Sequence, residues 1–372
     1  MNKHIGYRPT WAEIDLGNLA HNFKQIKRSL SSETKIMVCV KADAYGHGLI
    51  PVVKKLVELG VDYFGVASID EGILLRNEKV GVPILILGMV LKGDIAPLFK
   101  YNLFPTVCTK ELALALNNKA LKDKKRLPVH IKVDTGMGRI GVLPYDALHF
   151  VKMVHGLKGL TIEGLFTHFA FADMDKEFTL RQLEQFSRLS QELSKEGIGI
   201  PILHAANSMA VADYKGSHFN MVRPGLIVYG LKPAKEMKLK LKPVLSLKTR
   251  IVYLKRMPAL HGISYGRTYI TNRETTVITL PIGYGDGYPR NLSNIAPVII
   301  RGKLFKVSGR VCMDQTMVDV GDLPVKIGDE VVLIGRQGSS SISAEELAAL
   351  SGTISYEIVC GLGSRVPRVY ID

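Results

Sequence analysis

The chain's most informative residue is Lys41, which directly follows five apolar residues and opens the glycine-containing segment 41–48. A short apolar run rich in β-branched residues predicts a strand buried on both faces, as in a parallel sheet. A lysine at the end of such a strand is partly shielded from water, which favours the neutral amine that attacks an aldehyde. Gly46 and Gly48 would let the backbone approach a bulky anionic group. We therefore predict a Schiff-base lysine that carries pyridoxal phosphate; the alternative is a lysine whose ammonium simply reaches water beyond the strand end.

Other polar side chains follow apolar runs in the same way. In a barrel of parallel strands, side chains at the carboxyl ends of the strands are the catalytic candidates. Besides Lys41, these are Asp134, Arg139, His168, Asn207, Ser208 and Arg223. His168 alone would more often be a hydrogen-bonded core histidine, and Ser208 alone fits a helix cap. Five strand ends with such chemistry are harder to explain as structure than any one of them.

The elements that position these residues form a repeating pattern. Short apolar runs alternate with amphipathic stretches, which is typical of a (β/α)8 barrel. The candidate strands are residues 36–40, 63–68, 83–88, 104–108, 129–134, 160–167, 202–206 and 221–229. Helical patterns between them include residues 51–59 and 180–195.

Beyond about residue 242 the pattern changes to short β-branched segments separated by Gly, Pro and Asn, which predicts a separate all-β domain. Its candidate strands are residues 243–255, 275–282, 296–301, 304–308, 311–320 and 329–335. One helix is predicted over 343–350, with Ser343 and Glu346 as a capping box and Gly352 at its end. We predict domains over 1–240 and 241–372. Residues 11–16 are a candidate strand, through which the segment 8–16 could join the β domain.

Composition narrows the class of protein. The chain has 372 residues, 47% hydrophobic and 22% charged, which is typical of a globular protein with two domains. The longest apolar stretch, residues 83–91, is far short of the roughly 20 residues that span a bilayer. We therefore expect a soluble, cytoplasmic protein without a membrane partner. The four cysteines lie far apart, so no metal site is expected. The net charge of +15 comes from scattered lysines, which argues against a nucleic-acid partner.

Four segments together carry a family resemblance that spans nearly the whole chain. They are residues 41–48, 223–225, 283–289 and 311–315. In this order they resemble the bacterial alanine racemases, fold-type III enzymes that use pyridoxal phosphate. The resemblance implies interconversion of L- and D-alanine for peptidoglycan, in a homodimer whose active sites are shared between subunits.

The resemblance also assigns roles to single residues. Lys41 and Tyr265 match the two catalytic bases, Tyr265 coming from the second subunit, and Arg139 and Met313 match the substrate carboxylate site. The cofactor-binding positions matched are Lys41, Tyr45, His168, Asn207, Ser208, Arg223, Gly225, Leu226 and Tyr356. Supporting or entryway positions are Lys132, Asp173, Tyr284, Arg290, Arg310 and Asp314. Tyr265 taken alone would be an ordinary turn aromatic.

Elementary chemistry agrees with these roles. Racemisation removes a proton from one face of Cα and delivers another to the opposite face, so two groups on opposite sides serve it better than one. An arginine at the pyridine nitrogen keeps that nitrogen unprotonated, because the guanidinium holds its own proton. The ring then withdraws electrons more weakly, and a short-lived carbanion has less chance of transamination.

Lys132 has two interpretations. Strand alternation puts His130, Lys132 and Asp134 on one face, so Lys132 is predicted to point into the barrel. A buried neutral amine can add carbon dioxide and become a carbamate that pairs with Arg139. Lys132 also matches a lysine that is carbamylated in many of these racemases. The alternative is a plain ion pair between Lys132 and Asp134.

Three other functions compete with this interpretation. A decarboxylase of the same fold type relies on a cysteine-bearing motif that is not found, since Cys360 stands in a different context. Non-catalytic carriers of pyridoxal phosphate are single barrels, whereas this chain has a β domain. A nucleic-acid-binding protein would be retained on heparin. The breadth of amino acid substrates stays open.

Overall fold

The computed structural model describes residues 7–234 and 236–372, which form a closed barrel and a separate β domain. The first strand, β1, spans Thr10–Asp15 and belongs to the β domain. Eight further strands close the barrel in chain order, each parallel to its neighbours. They are β2 (Lys35–Cys39), β3 (Tyr63–Val66), β4 (Ile84–Ile86), β5 (Phe104–Val107), β6 (Leu127–Lys132), β7 (Leu160–Phe166), β8 (Ile202–His204) and β9 (Met221–Val222). The predicted eight-stranded barrel is confirmed.

Helices connect these strands, and their first turns follow local rules. Thr109 and Asp175 cap two of them, because each side chain accepts a backbone N–H of the first turn. The α-helices of this half of the chain, apart from the turn after β2 described below, are Leu16–Arg28, Leu49–Glu58, Ile69–Asn77, Ala96–Lys100, Lys110–Lys122, Pro144–His155, Lys176–Lys195 and Ser208–Asp213. Short 3-10 turns lie at Lys92–Asp94 and Lys215–Ser217.

The predicted eighth strand, residues 221–229, was too long. Only Met221–Val222 is strand, and Leu226–Tyr229 is a 3-10 helix. Pro224 has no N–H to donate to a ladder, and the chain turns at the following glycine. Arg223 therefore follows the strand rather than lying within it.

The β domain contains a seven-stranded sheet, a three-stranded sheet and a two-stranded ribbon. Its strands are β1, β10 (Leu245–Arg250), β11 (Tyr253–Met257), β12 (Gly262–Ile263), β13 (Tyr269–Ile270), β14 (Thr275–Leu280), β15 (Pro297–Ile300), β16 (Lys303–Lys306), β17 (Thr316–Gly321), β18 (Glu330–Gln337), β19 (Ser340–Ile342) and β20 (Arg368–Ile371). Strand β1 pairs antiparallel with β10 and parallel with β20. The sheet therefore draws its strands from both ends of the chain.

The β domain agrees with the sequence prediction at one helix and departs from it in two places. The predicted helix after Ser343 is present as Ala344–Ser351, with the capping box to Glu346 and with Gly352 at φ 67°. A second helix, Ser355–Cys360, was not predicted. The predicted strand 311–320 begins only at Thr316, so the segment around Met313 is a loop. 3-10 turns also occur at Tyr265–Arg267, Tyr284–Asp286 and Arg290–Leu292.

The interior divides into layers. A large apolar cluster packs the barrel strands against their helices and continues into the β domain. A smaller cluster fills the barrel floor with Met37, Tyr63, Leu85, Phe104, Ile202 and Met221. Within the described ranges, every helix is too short or too polar to cross a bilayer.

Candidate active site

A cavity of about 170 Å³ lies where the barrel strands end. Its lining combines cations, hydroxyl groups and a few apolar surfaces. The lining residues are Cys39, Lys41, Tyr45, Leu87, Lys132, Arg139, Phe166, His168, Asn207, Ser208, Arg223, Gly225 and Tyr356. Most of the residues predicted from the barrel half of the chain therefore meet in one place.

Lys41 opens a left-handed turn. Ala42, Asp43, Ala44 and Tyr45 have φ between 53° and 55°. Such a conformation costs about 1–2 kcal/mol for each residue with a side chain. Two carboxylates hold the turn: Glu71 accepts the N–H of Ala42 at 2.7 Å, and Asp43 accepts the N–H of Leu49 at 2.7 Å. Backbone strain is thus concentrated next to the candidate catalytic lysine, as is common at functional sites.

Gly46 and Gly48 are explained by packing against the β domain. A Cβ on Gly46 would lie 2.1 Å from the carbonyl oxygen of Val359, and one on Gly48 would lie 1.8 Å from the hydroxyl of Tyr370. Their φ values of 77° and 90° also favour glycine. The close approach expected at these glycines is therefore to protein.

Hydroxyl groups gather at one end of the cavity. The Gly225 N–H donates to Oγ of Ser208 at 3.0 Å, and a Cβ on Gly225 would lie 2.6 Å from the Tyr45 hydroxyl. Burial raises the pKa of Tyr45 well above 10 and that of Tyr356 to about 12, so both phenols keep their protons as donors. Ser208 is not the helix cap, since Asn207 accepts the N–H of Ala210 in that role. This donor set, beside the start of the 3-10 helix at Leu226, suits a phosphate group.

Arg223 is almost fully buried and strongly oriented. Its Nη2 donates to the carbonyl oxygens of Thr167 at 2.6 Å and Ala205 at 3.0 Å, and Nη1 lies 2.9 Å from Nδ1 of His204. Burial lowers the pKa of Arg223 to about 10, so the guanidinium stays charged at neutral pH. His168, 3.5 Å away, is held neutral because burial and then the Arg223 charge lower its pKa.

Lys132 points into the barrel as predicted from strand alternation. It is 3% exposed, and its ammonium lies 5.5 Å from the centre of the Phe166 ring. Burial, followed by the charges of Arg139 and Arg223, lowers the pKa of Lys132 to about 8. A substantial fraction of neutral amine is therefore present at mildly alkaline pH.

Asp134 does not form the alternative ion pair with Lys132. Its carboxylate instead accepts the backbone N–H groups of Gly136, Met137, Gly138 and Arg139. Burial alone would raise the pKa of Asp134, but these bonds outweigh it and hold the pKa below its ordinary value. Asp134 lines a separate surface groove of about 710 Å³ and is not part of the cavity lining. It shapes the loop that brings Arg139 to the cavity.

An outer groove of about 600 Å³ adjoins the cavity and shares His168, Asn207, Ser208 and Tyr356 with it. Asp173, one of the predicted entryway residues, lines this groove. The helix that was not predicted, Ser355–Cys360, carries Tyr356 to the junction.

The predicted residues of the β domain form a different surface. Tyr265 is 71% exposed and Met313 is 53% exposed, and both line an open concavity of about 550 Å³ that also includes Asp314. Neither is among the residues lining the cavity around Lys41. Tyr284, Arg290 and Arg310 also lie in this domain, Tyr284 and Arg290 being exposed and Arg310 half-buried. The predicted site residues therefore lie on two separate surfaces of one chain.

Asp286 stabilises the second of these surfaces. It is fully buried and forms an ion pair with Arg8, whose guanidinium also donates to the Asp314 carbonyl at 2.9 Å. The N–H groups of Tyr284 and Gly285 donate to the carbonyls of Cys312 and Met313 at 3.0 and 2.9 Å. Asp314 is paired with Arg365 at 2.7 Å. The loop around Met313 is therefore held both by arginine contacts to Asp314 and by backbone hydrogen bonds from residues 284 and 285.

Comparison with known families identifies this arrangement. A model described as the alanine racemase N-terminal domain matches residues 14–233, and one described as the alanine racemase C-terminal domain matches residues 244–370. The chain belongs to the alanine racemase family. It is therefore an enzyme of that family, with the barrel and β domain that the family models divide between them.

Similar proteins cover the whole chain. An alanine racemase of Halothermothrix orenii is 55% identical over 374 residues, covering 100% of this chain and 98% of the relative. The solved alanine racemase of Clostridium difficile 630 is 41% identical, with a TM-score of 0.92 over 98% of this chain and 96% of that one. That of Bacillus anthracis with bound L-Ala-P is 38% identical, with a TM-score of 0.92 over 99% and 96%.

Family resemblance and strand-end reasoning missed a buried part of the site. His130 and His204 lie behind Arg223 and connect it to the barrel floor. Phe166 stacks on His204 with ring centres 4.7 Å apart and supports both Lys132 and Arg223. The alternation that placed His130 on the same face as Lys132 was the available signal.

Proposed function

We propose that this chain interconverts L- and D-alanine with pyridoxal phosphate as cofactor, in a homodimer with shared sites. The observation that carries the proposal is that Lys41 and Arg223 line one cavity with the hydroxyls of Tyr45, Ser208 and Tyr356, in a member of the alanine racemase family. The proposal includes supply of D-alanine for peptidoglycan in the cytoplasm. It involves neither a nucleic acid nor a membrane.

The residues present fit the proposed cofactor. Lys41 supplies an amine for its aldehyde, and the protonated phenols of Tyr45 and Tyr356, with Ser208 and Leu226 nearby, suit its phosphate. Arg223 is the donor for its pyridine nitrogen, with His168 next to it. When bound, pyridoxal phosphate withdraws electrons from Cα of an amino acid and so makes its proton acidic.

The chain's own groups then divide the remaining work. Arg139 and the backbone of Met313 hold the substrate carboxylate, which orients Cα between two bases. Lys41 takes or gives the proton on one face, and the partner subunit's Tyr265 does so on the other. A two-base arrangement needs Lys41 and Tyr265 on opposite sides of the same substrate molecule. The high exposure of Tyr265 and Met313 within one chain supports their use across a subunit boundary.

Two measurements test the proposal. The purified protein with pyridoxal phosphate should convert L-alanine to a racemic mixture, and chiral chromatography measures this conversion. Borohydride reduction followed by peptide mapping should place the cofactor on Lys41, and Lys41→Ala should abolish its attachment. Lys35→Ala, an exposed residue at the start of the same strand, is the matched control. Cofactor attached at another lysine, or no racemisation, would overturn the proposal.

Biological role and substrate breadth need their own experiments. Expression should restore growth of a bacterial strain that depends on added D-alanine, whereas the Lys41→Ala variant should not. A panel of enantiopure amino acids would then define which side chains are accepted besides the methyl group of alanine.

A further inference from the structure

A line of three buried side chains runs from the cavity to the barrel floor. Arg223 is 4% exposed, while His204 and His130 are not exposed at all. Nη1 of Arg223 lies 2.9 Å from Nδ1 of His204, and Nε2 of His204 lies 2.9 Å from Nδ1 of His130. His130 lies in the floor layer, with its ring near those of Phe104 and Tyr63.

The donors and acceptors of these three side chains allow only one direction for the two hydrogen bonds. A guanidinium only donates hydrogen bonds, so Nδ1 of His204 must be the acceptor. The ring of His204 then carries its proton on Nε2 and donates it to Nδ1 of His130. His130 in turn carries its own proton on Nε2. Burial, followed by the charge of Arg223, lowers the pKa of both histidines, to about 3 for His130, which keeps both rings neutral.

The end of the line and its surroundings are unusual for a structural histidine. In the described part of the chain, Nε2 of His130 is buried without a hydrogen-bond partner, an arrangement that costs free energy. The neighbouring strand also makes room for the ring, because a Cβ on Gly164 would lie 2.2 Å from Nδ1 of His130. The pairing of β6 with β7 shifts register at the same place. An apolar residue would fill the floor without these costs.

We propose that His130 is a positioning residue, which through His204 holds the guanidinium of Arg223 in the orientation that meets the cofactor's pyridine nitrogen. The inference rests on the proposed function, because that function gives Arg223 its contact. Without an acceptor at Nδ1 of His130, the N–H at Nε2 of His204 has no hydrogen-bond partner. If that proton moved to Nδ1 of His204, the N–H there would face the N–H of Arg223, and the hydrogen bond that orients Arg223 would be lost.

The direct test is the tautomer of each ring. In the cofactor-loaded protein labelled with 15N-histidine, correlation spectra should show both rings neutral with the proton on Nε2. His130→Leu should change the His204 signal and lower kcat about tenfold, with KM for alanine within about twofold, as for loss of one buried hydrogen bond. His130→Asn keeps an acceptor near Nδ1 and should restore kcat to within about threefold.

Two further variants separate positioning from packing. Phe104→Leu disturbs the same floor layer without touching the hydrogen bonds, so kcat should stay within about twofold. Gly164→Ala removes no polar group but displaces the ring of His130, so it should reproduce the effect of His130→Leu.

Three results would overturn the inference: a wild-type His204 with its proton on Nδ1, His130→Asn no better than His130→Leu, or Phe104→Leu as harmful as either. If His130→Leu does not fold, the inference is tested by the wild-type tautomer and by the kcat values of His130→Asn and Gly164→Ala. Because the tautomer measurement needs no turnover, failure of wild-type protein to racemise alanine would count against the proposed function alone.

Discussion

The backbone N–H of Arg139 donates to the carboxylate of Asp134 at 3.0 Å, so the loop that carries Arg139 is tied to the end of strand β6. Three more N–H groups of the loop, at Gly136, Met137 and Gly138, donate to the same carboxylate at 2.7–3.0 Å. A carboxylate with four such donors stabilises one conformation of the loop. These contacts fix the backbone from which the Arg139 side chain reaches the cavity.

Asp134→Asn should therefore weaken substrate binding. The amide nitrogen is a donor and would face backbone donors, so the loop would loosen and Arg139 would lose its orientation. We expect KM for alanine to rise about tenfold, with a smaller change in kcat. Steady-state kinetics in both directions measure this. Asp146→Asn, exposed in the following helix, is the control, and equal effects of the two changes would contradict the expectation.

Shared sites predict recovery of activity in mixed dimers. Lys41→Ala and Tyr265→Ala chains, each inactive alone, should form hybrids with one doubly damaged and one intact site. In an equal mixture half of the dimers are hybrids with one site of two intact, so about a quarter of wild-type activity should return. Lys41→Ala mixed with Arg223→Ala is the matched control, because both lesions lie in the same cavity. Recovery in neither mixture, with hybrids present, would exclude sharing.

Lys132 should carry a carbamate. Its amine would bond to the carbon of carbon dioxide and release one proton, giving an anion that Arg139 can pair with. Because the pKa of Lys132 is lowered to about 8, occupancy should increase as the pH rises through that value. 13C NMR with labelled bicarbonate and high-resolution density would detect the group. Lys132→Ala should lose activity and regain part of it with added acetate, whereas wild-type activity should not respond. A bare ammonium and no rescue would leave the carbamate unsupported.

Buried histidines should make the fold sensitive to acid. Burial lowers the pKa of His47 to about 4 and of His130 to about 3, against 6.5 for an exposed histidine. The unfolded chain therefore binds protons first, and stability that is complete above pH 6.5 is lost as the pH falls toward these values. Each such histidine should contribute a slope of about 1.4 kcal/mol per pH unit in this window.

Urea unfolding between about pH 7 and pH 5 measures that slope. His47→Asn keeps a side-chain donor for the Tyr45 carbonyl but removes the titrating ring, so its slope should be smaller by one proton. An unchanged slope would show that His47 is not one of the groups responsible.

The ends of the barrel strands and the change to an all-β domain were predictable because both depend on local sequence patterns. An apolar run followed by a polar residue placed Lys41, Arg139, His168 and Ser208 at the mouth of one barrel, where the structure brings them together. The capping box at Ser343 depends on four neighbouring residues and was found as predicted. The predicted strand 221–229 was wrong because its apolar residues equally suit a buried 3-10 helix after Pro224.

The amino-acid sequence by itself thus determined the two domains, the family and the residues that could do chemistry. Tertiary structure decided how they are held. Glu71 holds the left-handed turn after Lys41, and Val359 and Tyr370 leave no room for side chains on the two glycines that follow it; all three lie in other elements. The hydrogen bonds that orient Arg223 come from Thr167, His204 and Ala205, at the ends of two neighbouring strands, β7 and β8. The backbone hydrogen bonds that keep Asp134 from pairing with Lys132 depend on how its loop closes. Such contacts join residues far apart along the chain or depend on exact backbone geometry, and local sequence patterns contain neither.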